Sequence, residues 1–435
     1  MVDEILALAH RRGVEAEVYS SEVDRTLVEF RSGRHHSQET RLVSGYGLRV
    51  IKDGRLGFAA STNQDRPDQL LDAAIAVAEE SKDRRAVFEF PPQQDLAPVH
   101  IFENRVMLVS PDRMAEWGKD LVSALKARVP GLKLDLSFVR TYREMRIRNS
   151  SGMDLGFERA EFELDASGLI VGDGLTWIFE YLNLSDGRPF NIEPLADRLE
   201  QKALWAQKKA SLPSGEWPVI VMPTALTALL LPVTLGVDGK NREKKTSPLV
   251  EREGESVVAE TLSIHDNPVR SHGMMSSPVD AEGMTRQKRT LFTRGVFNGF
   301  LYDIRTAAAC GTETTASADR PWNRLPQPSV SNIEIDPGDR NLDYVLAETK
   351  QGLVVDGFIG EGQSNLLAGE VALNASSAFK IEDGAISGRV KDIMIAGNSY
   401  EMLSTVDAVG DRQRDLGRWF IPFVRLPSLR IASRE

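Results

Sequence analysis

Apolar Ile5, Leu6, Leu8 and Ala9 gather on one side of the opening segment, and Gly13 follows where a left-handed residue ends helices. A short helix is predicted. Residues 16–19, 25–31, 41–51 and 57–61 then alternate polar and apolar positions, with Ser32-Gly33 and Asp53-Gly54 where tight hairpin turns need positive φ. From Pro67 onward, Leu70, Leu71, Ala74, Ile75 and Ala78 recur at helical spacing and run into the charged stretch 79–85. Residues 1–90 thus read as helix, antiparallel meander, helix.

The proline-bearing stretch 90–98 marks a boundary. Ser110 stands as N-cap before Pro111, and Met114, Trp117, Leu121 and Leu125 share one face up to the stop at Pro130-Gly131. Strands at 132–140, 142–149, 153–164, 168–171 and 175–184, with turns at Ser151-Gly152 and around Asp173, predict a second antiparallel sheet. A helix from Pro194 carries Leu195, Leu199, Ala203, Leu204 and Trp205, so residues 91–212 repeat the helix-and-meander plan. The remaining unit, 213–435, opens with a buried-type strand at 217–222 and a helix from Ala225 to Leu231 that has no polar face. The charged stretch 238–256 reads as an exposed loop. Short glycine-punctuated strands follow at 262–265, 288–293, 297–303, 329–335, 353–359, 370–381, 385–395 and 420–431, which predict a curved, barrel-like β domain. The fold class is therefore α+β: two helix-plus-antiparallel-meander units, then a larger β-rich, barrel-like C-terminal domain.

Composition narrows the function. With 53 Lys+Arg against 63 Asp+Glu the net charge of the 435 residues is −10. An acidic surface disfavours the phosphate contacts that dominate nucleic-acid affinity. The single cysteine, Cys310, excludes an intramolecular disulfide, the first twenty residues lack the pattern of a secretory leader, and no apolar run reaches bilayer length. A cytoplasmic protein with no membrane span is expected.

Common catalytic signatures are missing. Gly45/Gly47 and Gly360/Gly362 lack the third glycine of a dinucleotide site, and the segment 362–366 fails the nucleophile-elbow pattern at its last position. No histidine is followed by glutamate. His265, Asp266, His272, Asp280 and Glu282 lie close in sequence and carry the nitrogen and carboxylate chemistry that zinc accepts, or else they are ordinary loop polarity around Pro268 and Gly273. Cys310 reads as a small buried thiol, His35-His36 as decoration of an exposed turn, and Trp419, Phe420 and Phe423 as core aromatics.

Several segments resemble the TldD/PmbA family, and its PmbA (TldE) branch in particular. They are Ala16-Glu17-Val18, the stretch 28–33, Tyr46 to Val50 with Asp53 to Ala59, Asp266-Asn267-Pro268, Pro278 to Gly283 leading into Arg289-Thr290-Leu291, Leu301-Tyr302-Asp303, Ile381 to Gly384 and Ile395 to Asn398. The resemblance implies a cytoplasmic metallopeptidase system in which a TldD-type subunit carries zinc and a PmbA-type subunit pairs with it around an enclosed chamber. In the TldD branch the metal sits on a helix bearing His-Glu-x-x-x-His, with a later cysteine as third ligand. The corresponding stretch here runs from Pro223 and Thr224 to Ala228, and no cysteine follows Cys310. These degenerate positions offer no imidazole or carboxylate. The apolar helix is then either a former catalytic helix kept for packing or a lining of the shared chamber. No catalytic, cofactor-binding or metal-binding residue is assigned.

Three functions stay open at this stage. The first is a non-catalytic PmbA/TldE-type subunit, paired with a TldD-type partner that holds the zinc, acting on peptides or small unfolded proteins. The second is a stand-alone metal-dependent peptidase using His265, His272, Asp280 and Glu282. The third is a homodimeric peptide-binding scaffold.

Overall fold

The computed structural model describes residues 2–63, 65–81, 89–172, 174–360 and 364–433. The end of the charged stretch after the second helix, the turn residue Asp173, and Gly362 and Gln363 lie outside the described residues.

Helix α1 (Val2–Arg11) leads into three long strands, β1 (Glu15–Arg31), β2 (Arg34–Lys52) and β3 (Arg55–Ser61), followed by α2 (Pro67–Glu80). Ser32 and Asp53 take φ of 47° and 51° in the two hairpin turns, as their Gly-containing pairs predict. After α3 (Pro111–Arg128), capped by the Ser110 hydroxyl accepting from Arg113 N, come β4 (Lys133–Asn149), β5 (Asp154–Gly172), β6 (Gly174–Asn183) and α4 (Glu193–Gln207).

The second meander does not form its own sheet. β1 and β4 pair antiparallel from Glu17↔Asn149 to Phe30↔Leu136, and the six strands run β3-β2-β1-β4-β5-β6 in one sheet. β1 also crosses residues 20–24 without a break, although Ser-Ser-Glu-Val-Asp has little strand propensity. Pairing on both sides, to β2 and β4, supplies the backbone partners that propensity does not. The helices of the two meanders still cover separate cores of this sheet: Ile5, Leu48, Leu71 and Ala74 under α1 and α2, and Phe138, Leu164, Leu121 and Leu199 under α3 and α4.

The C-terminal region holds β7 (Gly215–Val221), helix α5 (Pro223–Gly236), and strands β8 (Gly352–Ile359), β9 (Glu370–Glu382), β10 (Ile393–Asn398) and β11 (Val424–Ser433). β8 pairs with β7, β7 with β11, β11 with β10, β10 with β9, and β9 again with β8, so five strands close into the predicted barrel. A second sheet of short strands includes Ile264–Asp266, Arg289–Thr293 and Ile333–Ile335.

Several local expectations are corrected. Residues 238–256 are no free loop: Gly239–Glu243 is helical and Leu249 is buried in the main core. Helices Ile304–Cys310, Leu342–Thr349 and Ser399–Ser404 lie between the predicted strands, in stretches to which no element was assigned. Each is started by a polar side chain, Asp303, Asn341 or Asn398, accepting a backbone N–H of the first turn. His35 and His36 stand on β2 itself, exposed, with His35 edge-on to Phe30. Phe420 and Phe423 are core residues, as expected. Among the described residues no helix is long and apolar enough to cross a membrane.

Candidate functional site

Helix α5 begins directly after β7, with Met222 N accepted by Val355 O of β8. Its Leu226, Leu229 and Val233 share a core with Val219, Val221, Leu353 and Val355, which explains the missing polar face: the helix is surrounded. Pro223 and Ala228 are buried, and Thr224 is half-buried. The Thr224 hydroxyl donates to Asp356 Oδ1 at 3.3 Å.

Thr224 also reaches a cavity of about 250 Å³ between the start of α5 and the large sheet. Glu29, Ser137, Asp165 and Tyr181 form one cross-strand row on its wall, since Glu29 pairs with Ser137, Ser137 with Asp165 and Asp165 with Tyr181. Asp135 lies on the same wall, with Arg31, 3.9 Å from Glu29, set against the carboxylates of Glu29, Asp135 and Asp165, so this end of the sheet face carries a net negative charge. One step further along the strands, Tyr181 donates to Glu163 Oε2 at 3.0 Å, and burial pushes the Glu163 carboxyl up to about 7.

Beneath the start of α5 lies an ion network. Lys202 of α4 places Nζ 2.8 Å from Glu180 Oε1 and 2.7 Å from Asp356 Oδ2, and donates to Phe179 O at 2.7 Å. Arg198 and Arg414 also hold Glu180, at 2.7 and 2.8 Å. Burial opposes the Glu180 charge, yet Lys202, Arg414 and Arg198 outweigh it and hold its carboxyl down at about 2. Burial raises Asp356 despite Lys202.

The predicted polar cluster is dispersed into separate structural roles. His265 Nδ1 lies 3.0 Å from Thr290 Oγ1 and its Nε2 lies 3.0 Å from Asp336 Oδ1. Asp266 accepts from the backbone N and hydroxyl of Ser331, at 2.5 and 2.7 Å. His272 adopts φ of 57°, and its Nε2 is 3.9 Å from Glu103 Oε1. Asp280 accepts the backbone N–H groups of Glu282, Met284 and Ala318, a loop brace. Glu282 accepts from Arg49 at 2.8 Å and from Ile304 N at 2.7 Å, and Arg49 in turn forks onto Glu17 at 2.9 Å through both Nε and Nη2. Among the described residues no three His, Cys, Asp or Glu side chains come together as a metal-binding group. At Pro223, Thr224 and Ala228, the positions that the resemblance sets against a zinc motif, the donor set is a proline ring, a hydroxyl already given to Asp356, and a methyl group; these residues do not fit a zinc ion.

Cys310 is half-buried rather than buried. It lines a cavity of about 470 Å³ beside Arg242 and Glu243, and burial pushes its thiol up, away from the reactive thiolate. Gly45 and Gly47 serve packing: a Cβ on either would strike Trp322, whose ring and carbonyl lie against β2.

Sequence reasoning passed over Lys202, although a readable signal existed. Lys202 falls on the buried stripe of α4 with Leu195, Leu199 and Ala206, where an unpaired ammonium is costly. Glu163 and Tyr181 carried no such signal, because their partnership depends on the register of β5 and β6.

Comparison with known proteins bears on the whole chain. Residues 214–433 match the model described as PmbA/TldA metallopeptidase C-terminal domain, and residues 16–78 match PmbA/TldA metallopeptidase domain 1. A metalloprotease of Methanothermobacter thermautotrophicus is 29% identical over 402 residues, covering 89% of this chain and 84% of the relative. Metalloprotease PmbA of Escherichia coli O157:H7 is 24% identical, covering 100% of this chain and 95% of the relative. Among solved structures, TldE of Thermococcus kodakarensis shares the fold with TM-score 0.89 at 23% identity, covering 99% and 100% of the two chains. A Thermotoga maritima protein described as a modulator of a DNA gyrase gives TM-score 0.91 at 23% identity, covering 99% of each.

Proposed function

The chain belongs to the PmbA/TldD metallopeptidase family, and from that premise we propose that it is a PmbA/TldE-type, non-catalytic subunit of a cytoplasmic zinc peptidase. It pairs with a TldD-type subunit that holds the zinc, and together they enclose a chamber for peptides or small unfolded proteins. The observation that carries this reading is the start of α5, where Pro223, Thr224 and Ala228 stand in place of metal ligands and the one hydroxyl is committed to Asp356. Without imidazole or carboxylate there is nothing at these positions to hold the ion or to take a proton from its water.

What remains at that place supports a binding role. The carboxylates of Glu29, Asp135 and Asp165 on the cavity wall beside Thr224 favour the amino end or basic side chains of a peptide by simple charge attraction. The ion network around Lys202 ties α4, β6 and β8 together below it, so the wall is held in one shape before substrate arrives.

The test is metal analysis of the purified chain with peptide-hydrolysis assays, alone and mixed with a TldD-type protein from the same source. Zinc near zero with hydrolysis only in the mixture is expected. Stoichiometric zinc with chelator-sensitive hydrolysis by this chain alone would overturn the proposal.

A further inference from the structure

At the other end of the same sheet face, Arg143 of β4 and Arg159 of β5 are direct register partners. Like charges opposed across two strands destabilise a sheet. The C-terminal region brings two more guanidinium groups to the same place, Arg286 and Arg320, and the four line one cavity of about 280 Å³. Its other walls are largely apolar, with Met145, Val279 and Ala281.

The protein's own anions leave several donors of these cations unfilled. Glu161 Oε1 lies 2.7 Å from Arg159 Nε, without the alignment of a hydrogen bond. Glu17 takes Arg320 Nη2 at 2.6 Å but is shared with Arg49. Asp280 spends its oxygens on backbone N–H groups, and Asp319 stands at the exposed rim. The Arg320 side chain is 1% exposed and stacks on the Tyr19 ring, yet its Nε and Nη1 have no hydrogen-bond partner; Nε of Arg143 is likewise buried without an acceptor, as is Nε of Arg286, whose other nitrogens donate to Ala318 O and Met275 O. Burial, with Arg159 nearby, pushes Arg143 below the usual guanidinium range, and burial does the same to Arg320. Buried donors without acceptors are costly.

We propose that this cavity is an anion site that takes a carboxylate, forked by Arg143 and Arg320, with a short apolar body lying against Met145 and Val279. A guanidinium fork matches the two oxygens of a carboxylate. A bare phosphate fits less well, because it brings no apolar body to cover Met145, Val279 and Ala281. A peptide C-terminus and a free short-chain organic acid share this chemistry. The peptide source rests on the peptide-binding reading above; the organic-acid source does not.

The test is calorimetric titration of the full chain with N-acetyl-alanyl-leucine, its C-terminal amide, butyrate and inorganic phosphate, repeated on Arg143→Gln. The acid form of the dipeptide or butyrate binds, the amide does not, and Arg143→Gln weakens binding by roughly tenfold or more. Meanwhile the ligand-free Tm of Arg143→Gln stays equal or rises, since a like-charge pair is relieved; a merely structural arginine would lower it. Binding of the dipeptide acid identifies a peptide terminus, and binding of butyrate alone identifies an organic acid; either supports the site. Equal binding of acid and amide, preference for phosphate, or no binding up to about 10 mM overturns it. Hydrolysis with a partner is read separately, so failure of the subunit reading leaves this result standing.

Discussion

Replacing Lys202 by methionine probes the ion network under α5. The variant keeps the aliphatic volume on the buried stripe of α4 and removes the ammonium that bridges Glu180 and Asp356. Glu180 retains Arg198 and Arg414, whereas Asp356, fully buried, is left with the Thr224 hydroxyl. Breaking one partner out of a buried ion pair costs about 3–5 kcal/mol. The cost depends on pH in a fixed sense. Burial already raises the Asp356 carboxyl, and loss of Lys202 raises it further, so the folded variant binds a proton that the unfolded chain releases. A raised folded-state value gives stability that is present at low pH and lost as pH climbs through it. The deficit of Lys202→Met is therefore largest near pH 8 and shrinks toward pH 5. Urea unfolding followed by circular dichroism at both pH values measures it. Adding Asp356→Asn to Lys202→Met should recover a good part of the loss at pH 8 and little at pH 5. A deficit below about 1 kcal/mol, or one that is the same at both pH values, would refute the reasoning.

Three further outcomes follow from the packing and from Glu163. Leu226→Ala, in the fully buried face of α5, lowers stability by about 2–5 kcal/mol in the same urea assay. Gly57→Ala forces a Cβ to within 2.0 Å of Ala74 O where α2 crosses β3, and costs about 1–3 kcal/mol; a neutral result would show that α2 can move away. For Glu163 the folded value of about 7 lies above the ordinary 4.5, so its stabilising contribution is complete below 4.5 and lost as pH rises through 7. Glu163→Gln, which still accepts the Tyr181 hydroxyl, should thus raise Tm relative to the parent at pH 8 and leave it unchanged near pH 4.

Local pattern carried the helices with an apolar stripe, the hairpin turns and the β-rich, barrel-like character of the C-terminal region, because each is written in spacing or in residues that tolerate positive φ; the closure of five strands was not. That Pro223, Thr224 and Ala228 offer no imidazole or carboxylate was also legible, since the absence of a side-chain type needs no coordinates. Long-range pairing was not. Nothing in Leu132 to Asn149 says that this segment will dock on β1, so the fusion of two meanders into one sheet stayed hidden. For the same reason the pairing of Arg143 with Arg159 could not be read from the chain; only the strand register sets them face to face. Gly45 and Gly47 were weighed as a cofactor signal and turned out to make room for Trp322, a residue far away in sequence. His265, Asp266, His272, Asp280 and Glu282 were grouped by proximity along the chain, but each points to a different neighbour once the backbone turns between them.

The β1–β4 seam also decides where this chain can be cut. The proline-rich stretch 90–98 looks like a natural break, and the first matched segment, 16–78, ends before it. Yet a fragment stopping there would present the side of β1 that faces β4, from Glu17 to Phe30, as an unprotected edge with the hydrogen-bonding groups of that side open to any other chain. Such a fragment invites self-association, and its behaviour in isolation would say little about the same residues in the intact protein. For expression, truncation or exchange between relatives, the indivisible piece is the six-stranded sheet, and the segments that the sequence separates are halves of one surface.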